Sequence, residues 1–400
     1  MRDTHRPKGR ADIADRTPTI YLHIGPMKTG TSYLQHLMAE NRKLLLGAGV
    51  LFPGKDPRVD QVRGVRDVMG MHPDGESPAT FQGAWAALRE EMCAYDGRAS
   101  VVSQEFMSFA RRPRAQALVD SLAPADVHIV LTVRDSVHVL PSAWTNSTRN
   151  RGTASWQEYV NVLHTGPQAP GERRRSMRAV NVPRMLRAWG GVVPADNLHV
   201  VIVPPPGAPP HVLWERFAQV LGVRPQIFDV ATARRGESYG YASADFMRRL
   251  NGHLQHLPRP VYHEMKRYLL AEVLERRSGE PKVPITRAVA EFGDRWNTKT
   301  VNAIGSSGAR VYGDLADIDA VPVVTDEESA ASADALLHVA ADALSGVRRQ
   351  LRTEHKQVVE DIGVSPQRWS GTADPVAAAV REVADNLSEV ARLLERRASH

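Results

Sequence analysis

The chain has 400 residues, enough to bury one large core or two modest ones, and its 42% hydrophobic and 24% charged residues exclude a disordered or fibrous protein. The net charge of +6 and pI near 9.5 suit an anionic ligand, yet 51 Lys and Arg are spread among 45 Asp and Glu, so no basic stripe points to nucleic acid. A single cysteine, Cys93, rules out an intrachain disulfide. The lack of any run of about 18 apolar residues, or of an apolar core near the N-terminus, makes the expected protein cytoplasmic, with no transmembrane segment.

Residues 1–18 are rich in Arg, Asp and Pro with almost no apolar side chain, and read as a disordered basic tail. Thr19 to Ile24 is apolar and partly β-branched, as a buried strand requires. It runs into Gly25-Pro-Met-Lys28-Thr29-Gly30-Thr31-Ser32, after which apolar residues return at helical spacing. Strand, loop and helix in that order form an anion site: backbone N–H groups and the positive end of the helix dipole converge, and Lys28 adds a full charge. The lysine precedes the second glycine, which departs from a Walker loop, and the dinucleotide pattern Gly-x-Gly-x-x-Gly is missing. The plainer alternative is that Gly25 and Gly30 merely make a tight turn.

The helix is predicted to continue to Leu46 and to end at Gly47 and Gly49, before a short strand Val50–Phe52. Residues 55–80 show no clear period and read as a loop able to line a site. Ala84–Tyr95 reads as a helix, Ala99–Ser103 as a strand delivering Gln104 and Glu105, Arg114–Leu122 as a helix, and Val127–Val133 as a strand delivering Arg134 and Asp135. A helix Val182–Trp189 and a strand Leu198–Val203 follow, then helices Val212–Leu221, Ser243–Leu254 and Val261–Arg276. Near-continuous apolar strands separated by helices predict an α/β fold with a central parallel sheet flanked by helices. In such sheets ligands lie at the carboxyl ends of the strands, where Gly25–Ser32, Glu105 and Arg134 all fall. Fifteen histidines without ligand spacing argue against a metal.

Gly305 to Arg310 reads as a flexible turn. From about residue 325 the composition turns Ala-, Glu- and Arg-rich, with helices expected at Ala333–Leu351 and from Pro375 onward. In the second, Val376, Val380, Val383, Leu387, Val390 and Leu394 recur at spacings of 4, 3, 4, 3 and 4, a coiled-coil seam. It would pack on its own domain or carry a homodimer. The expected organisation is thus a 1–18 tail, a 19–324 α/β domain and a 325–400 helical extension.

Arg134 at a strand end and Ser142 eight residues later supply a charged fork and a hydroxyl, the combination that grips a phosphate. A surface salt bridge is the alternative for Arg134. The Lys-Thr-Gly-Thr-Ser loop directly after a strand, joined to this pair about 100 residues on, resembles the sulfotransferases that use 3′-phosphoadenosine-5′-phosphosulfate (PAPS), in their bacterial branch. Val182–Trp189 with the following strand, and Leu213–Val223 ending in Leu-Gly-Val, resemble further parts of that family. The likeness covers roughly residues 19–320 and implies a P-loop-like nucleotide core that moves a sulfuryl group from PAPS to a hydroxyl or amine of a carbohydrate, lipid or natural product, with no metal. It implies that Gly25, Lys28, Thr29, Gly30, Thr31 and Ser32 hold the 5′-phosphosulfate, with Lys28 stabilising the leaving oxygen, and that Arg134 and Ser142 read the 3′-phosphate. It implies a base, for which Glu105 is the first choice and His23 the second, and, through a degenerate Arg310-Val-Tyr-Gly-Asp segment, a nucleotide contact from Arg310. Glu105 would otherwise be a salt-bridged carboxylate. Arg173-Arg174-Arg175 would meet an anionic acceptor or form a solvated charge run. Two other classes stay open: a kinase-like phosphotransferase using Asp135 or Glu105 for Mg²⁺, and a non-catalytic nucleotide-binding scaffold.

Overall fold

A computed structural model describes residues 17–73, 76–165, 177–231, 239–319, 324–325, 331–354 and 363–398. Most of the N-terminal tail and the Arg173–Arg175 run lie outside the described residues. The protein is α/β. Six strands form one parallel sheet: β1 Thr19–Gly25, β2 Val50–Leu51, β3 Ala99–Ser103, β4 Asp126–Val133, β5 Leu198–Ile202 and β6 Arg310–Tyr312. Their spatial order is β2-β3-β1-β4-β5-β6, and every pairing is parallel. No helix among the described residues is long and apolar enough to cross a membrane.

Two compact units make up the chain: Met1–Asp135 with Ala179–Arg235 and Asn297–Ala320, and Ser136–Arg178 with Gly236–Trp296 and Val321–His400. The first holds the sheet, and strand alternation explains its two covered faces. Ile20, Leu22 and Ile24 of β1 share one face with Ile129, Leu131, Val133, Val200 and Ile202, packed on Leu118, Met185 and Trp189 from the helices Arg112–Asp120 and Val182–Trp189. Val101, Val130 and Val201 point to the other face, under Leu34, Leu37 and Met38 of the helix Thr31–Glu40 and Trp214 and Phe217 of the helix His211–Leu221. Covering both faces is what lets these strands be apolar throughout.

Residues 55–80 are not a loop. Pro57–Met69 is a helix, capped by Asp56, whose side chain accepts from the Arg58 N–H, with Pro57 at its first position and Gly70 in the left-handed region after it. Its buried residues, Gln61, Gly64, Val65 and Met69, keep helical spacing, but a glutamine and a glycine stand where apolar side chains would show the period. Gly64 is small because a Cβ there would come within 2.5 Å of Leu88 Cδ1 in the helix Ala84–Ala94. The expected turn at 305–310 also changes: the helix Arg287–Ser307 runs through Gly305, and Arg310–Tyr312 is the sheet's edge strand.

The second unit is helical. Ser136–Arg149 packs on Tyr241–His253, and Asn251 donates to the carbonyls of Thr148 and Gly152 while accepting from the Tyr262 hydroxyl at 2.7 Å. The helices Ala333–Glu354 and Pro375–Ala398 belong here, packed on each other and on Tyr241–His253 and Arg259–Glu272. The segment 325–400 is therefore part of a larger helical body rather than a separate extension. Val380, Val383, Leu387 and Val390 of the seam are buried by the chain's own helices, as the alternative of packing on its own domain requires, while Val376 and Leu394 are half-buried. Glu382 pins the preceding turn, accepting from Arg348, Arg368 and the Trp369 indole.

Leu387→Ala should cost about 2–5 kcal/mol of stability through the cavity it leaves, without changing the molecular mass in sedimentation. A drop in mass would place the seam between copies.

Candidate functional site

β1 lies between β3 and β4, so the order of the sheet reverses at its carboxyl end, the position where open parallel sheets leave a crevice. The loop Gly25–Ser32 leaves the sheet there, and β3 and β4 end on either side of it with Glu105 and Arg134 just beyond. Gly25 has φ +92°, and a Cβ on it would stand 3.0 Å from Glu105 Cβ, so the residue type is set by the close approach of the turn after β3. Gly30, at φ +83°, is similarly hemmed in: its Cβ would lie 2.5 Å from Leu213 Cδ2. Between them Lys28 adopts φ 68°, a left-handed conformation that costs a non-glycine residue about 1–2 kcal/mol.

Gly30 is the N-cap of the helix Thr31–Glu40, and no side chain among the described residues caps that first turn. The turn's N–H groups thus face outward at the positive end of the helix, next to a lysine. The hydroxyls of the loop are used differently from expectation. Thr29 is buried and its Oγ1 donates to the Pro26 carbonyl at 2.6 Å, with Thr132 Oγ1 also at 2.6 Å. Thr31 donates to Glu105 Oε1 at 3.2 Å. Only Ser32 of the three expected hydroxyl donors is exposed. The Thr29 and Thr31 hydroxyls are thus engaged within the protein, and an anion placed here would meet the backbone N–H groups of the turn and Ser32, beside Lys28.

Glu105 sits against this helix, its Oε2 accepting from Gln35 Nε2 at 3.0 Å while the same amide donates to the Ser103 carbonyl at 3.0 Å. Both partners of Gln35 are acceptors, which orients its amide. The turn Glu105–Phe109 is held from the other side by Arg184, which donates to the carbonyls of Ala110 and Ser108. Arg134 is 27% exposed, with Nε 3.7 Å from the buried Asp135 carboxylate. Burial pulls its pKa below the usual guanidinium value and Asp135 opposes this, so it stays charged.

Three expected site residues are placed elsewhere or otherwise. His23 is 0% exposed, with Nδ1 2.7 Å from Ser103 Oγ and Nε2 3.2 Å from Thr132 Oγ1, and burial drives its pKa down to about 3. A sealed, neutral imidazole cannot reach an acceptor as a base. Arg310 begins β6, three strands from β1 and so about 14 Å away across the sheet. Its guanidinium turns to Asp196, at 3.2 Å, in the turn that enters β5, on the edge where strands begin. It does not join the loop. Ser142 lies in the middle of Ser136–Arg149 rather than at a helix start, belongs to the second unit, and donates to the His138 carbonyl at 3.1 Å.

The sheet also joins two histidines that sequence spacing did not connect. His128 Nδ1 and His199 Nε2 are 2.8 Å apart on neighbouring strands, with Asp126 at the outer nitrogen of one and the Tyr312 hydroxyl at that of the other. Burial, then His128 and Arg310, lower the His199 pKa to about 4. Among the described residues no group of three or more His, Cys, Asp or Glu is gathered as metal ligands. No family model, curated protein or solved structure matches this chain.

His23 and His199 both have folded pKa values below the ordinary 6.5, so the unfolded chain binds protons that the folded chain refuses. Their stabilising effect is present above about pH 6.5 and is lost as pH falls below it. Urea denaturation should show about 2 kcal/mol less stability per histidine at pH 5 than at pH 7. Stability that is flat, or higher at pH 5 than at pH 7, would mean the histidines are charged in the fold.

Proposed function

We propose that the chain is a PAPS-dependent sulfotransferase. The observation that carries this reading is the loop at the reversal of the sheet, where Lys28 sits in a left-handed turn ahead of an uncapped helix N-terminus while a half-buried arginine, Arg134, ends the adjacent strand. A nucleotide with charge at both its 5′ and 3′ positions matches two separate cationic points, and the donor set suits an anion that brings no metal with it.

In the proposed reaction an acceptor oxygen or nitrogen attacks sulfur and the bond from sulfur to the 5′-phosphate oxygen breaks. The electron pair stays on that oxygen, and Lys28 stabilises the charge that collects there. Backbone N–H groups of Gly30, Thr31 and Ser32, with the Ser32 hydroxyl, hold the 5′-phosphate. Arg134 pairs with the 3′-phosphate and selects PAPS over nucleotides lacking it. Glu105 takes the acceptor's proton, with Thr31 and Gln35 fixing its carboxylate through neutral donors. The acceptor class, a hydroxyl or amine of a small molecule or glycan, follows from the sequence resemblance alone.

One observation favours a second reading. The hydroxyl of Thr31, the first residue of the helix, bonded to a carboxylate at the end of the neighbouring strand, is the pairing that P-loop phosphotransferases use for Mg²⁺. Turnover that requires Mg²⁺ and uses ATP would establish that reading; nucleotide binding without any turnover would point to a non-catalytic scaffold.

Calorimetry with 3′-phosphoadenosine-5′-phosphate (PAP) and ADP separates these classes. Arg134→Ala should weaken PAP by roughly 2–4 kcal/mol and leave ADP nearly unaffected. Equal losses for both would place Arg134 outside the nucleotide site. Lys28→Ala should lower turnover about 10²- to 10³-fold in a chain that still folds.

Glu105→Gln keeps the shape of the side chain and should cut turnover about 10²-fold or more, with PAP affinity little changed. Near-normal turnover with a verified acceptor would make Glu105 structural.

A further inference from the structure

The buried hydroxyls behind the loop form a chain whose proton directions can be worked out from one end. The Pro26 carbonyl can only accept, so Thr29 Oγ1 is the donor in their 2.6 Å bond. With its proton engaged, Thr29 must accept from Thr132 Oγ1, also at 2.6 Å. Thr132 in turn has no proton left for His23, so His23 Nε2 donates across the 3.2 Å separation. A neutral His23 then has a lone pair on Nδ1, and Ser103 Oγ, 2.7 Å away, donates to it. Ser103 is itself anchored, its N–H donating to Gln61 Oε1 at 2.8 Å. Every member of the chain is buried, and each bond has one donor and one acceptor.

This chain ends on the turn that holds Lys28. The bond from Thr29 Oγ1 to the Pro26 carbonyl bridges the ends of the stretch whose middle residues are Met27 and Lys28, and Lys28, at its third position, has φ 68°. A left-handed conformation is unfavourable for a lysine, and the hydroxyl that bridges the stretch is held from outside the loop, by Thr132 on β4 and through it by His23 on β1.

We propose that His23 is the positioning residue of the loop: acting through Thr132 and Thr29, in the tautomer protonated on Nε2, it keeps Lys28 in its left-handed turn. The identity of the anion that profits rests on the sulfotransferase reading, whereas the tautomer and the order of the loop do not. The role differs from that of a base, because His23 meets no substrate. It also differs from plain core packing, since a shape-preserving loss of the hydroxyl one hydrogen bond away should have the same effect on the loop as changing the histidine.

The test uses the full chain and the variant Thr132→Val, which removes the middle hydroxyl and keeps the shape. Thr132→Ser serves as the rescue. Thr300→Val, a buried threonine of the same unit whose hydroxyl has no hydrogen-bond partner among the described residues, serves as the control. Nitrogen chemical shifts should report His23 protonated on Nε2 and unchanged between about pH 8 and pH 5, in line with its strongly lowered pKa. In Thr132→Val, amide exchange of Met27, whose N–H donates to the Ala179 carbonyl, should quicken about tenfold and PAP should bind about tenfold more weakly, the scale of one lost buried hydrogen bond. Thr132→Ser and Thr300→Val should match the parent in both. Parent-like exchange and affinity in a folded Thr132→Val, or a proton on Nδ1 of His23, would overturn the proposal. Should the parent chain fail to bind PAP, the functional reading falls, and exchange and tautomer decide the positioning role by themselves.

Discussion

Parallel pairing of β1 between β3 and β4 is the constraint on which the rest of the first unit depends. It sets three strand ends side by side, so the loop after β1, the carboxylate after β3 and the arginine after β4 come to one edge although they lie far apart in the chain. The same pairing supplies the polar face beneath the loop, because β1, β3 and β4 each direct a polar side chain, His23, Ser103 and Thr132, toward the others. A polar trio inside a sheet is costly unless each member is satisfied, and here each one is.

The consequence for the candidate site is a division of labour between backbone and side chains. Thr29 and Thr31 look like anion ligands by type, yet one is committed to the turn and the other to Glu105. A ligand placed here would meet the first turn of the helix and the exposed Ser32 hydroxyl, with Lys28 beside them. The small residues follow the same logic. Gly25 and Gly30 take positive φ, +92° and +83°, that strains any side chain, and Glu105 and the tip of Leu213 also stand where a Cβ would lie. Glycine is therefore the mark of a loop pressed against its neighbours.

In the second unit, a heptad seam is consumed by the chain itself. A stripe of Val and Leu on one helix needs an apolar surface opposite it, and Ala333–Glu354, Tyr241–His253 and Arg259–Glu272 provide one. The period of the stripe says how wide a face is to be covered; it carries no information about whether the cover comes from the same chain.

Much of this was legible in the order of residues. Apolar β-branched runs predict β1 to β5 within a residue or two, because burial on both faces leaves no room for polar alternation, while the short edge strand β6 gave no such run; the two glycines with Lys28 mark the loop because few other sequences leave a strand and enter a helix so abruptly. The helix Pro57–Met69 was less visible, since Gln61 and Gly64 serve on its buried face through a hydrogen bond and a close approach rather than through hydropathy. What side chains do inside the site could not be read at all. Whether Thr29 faces a ligand or Thr132, whether His23 is a base or a buried donor, and whether Arg310 reaches the loop or Asp196 depend on strand neighbours more than 100 residues away and on register. By itself the sequence determined the α/β class and the place of the glycine- and lysine-bearing loop between β1 and its helix, because both follow from local spacing. Only the tertiary structure decided which polar groups of that loop face outward, because hydrogen-bond partners are chosen by proximity in space.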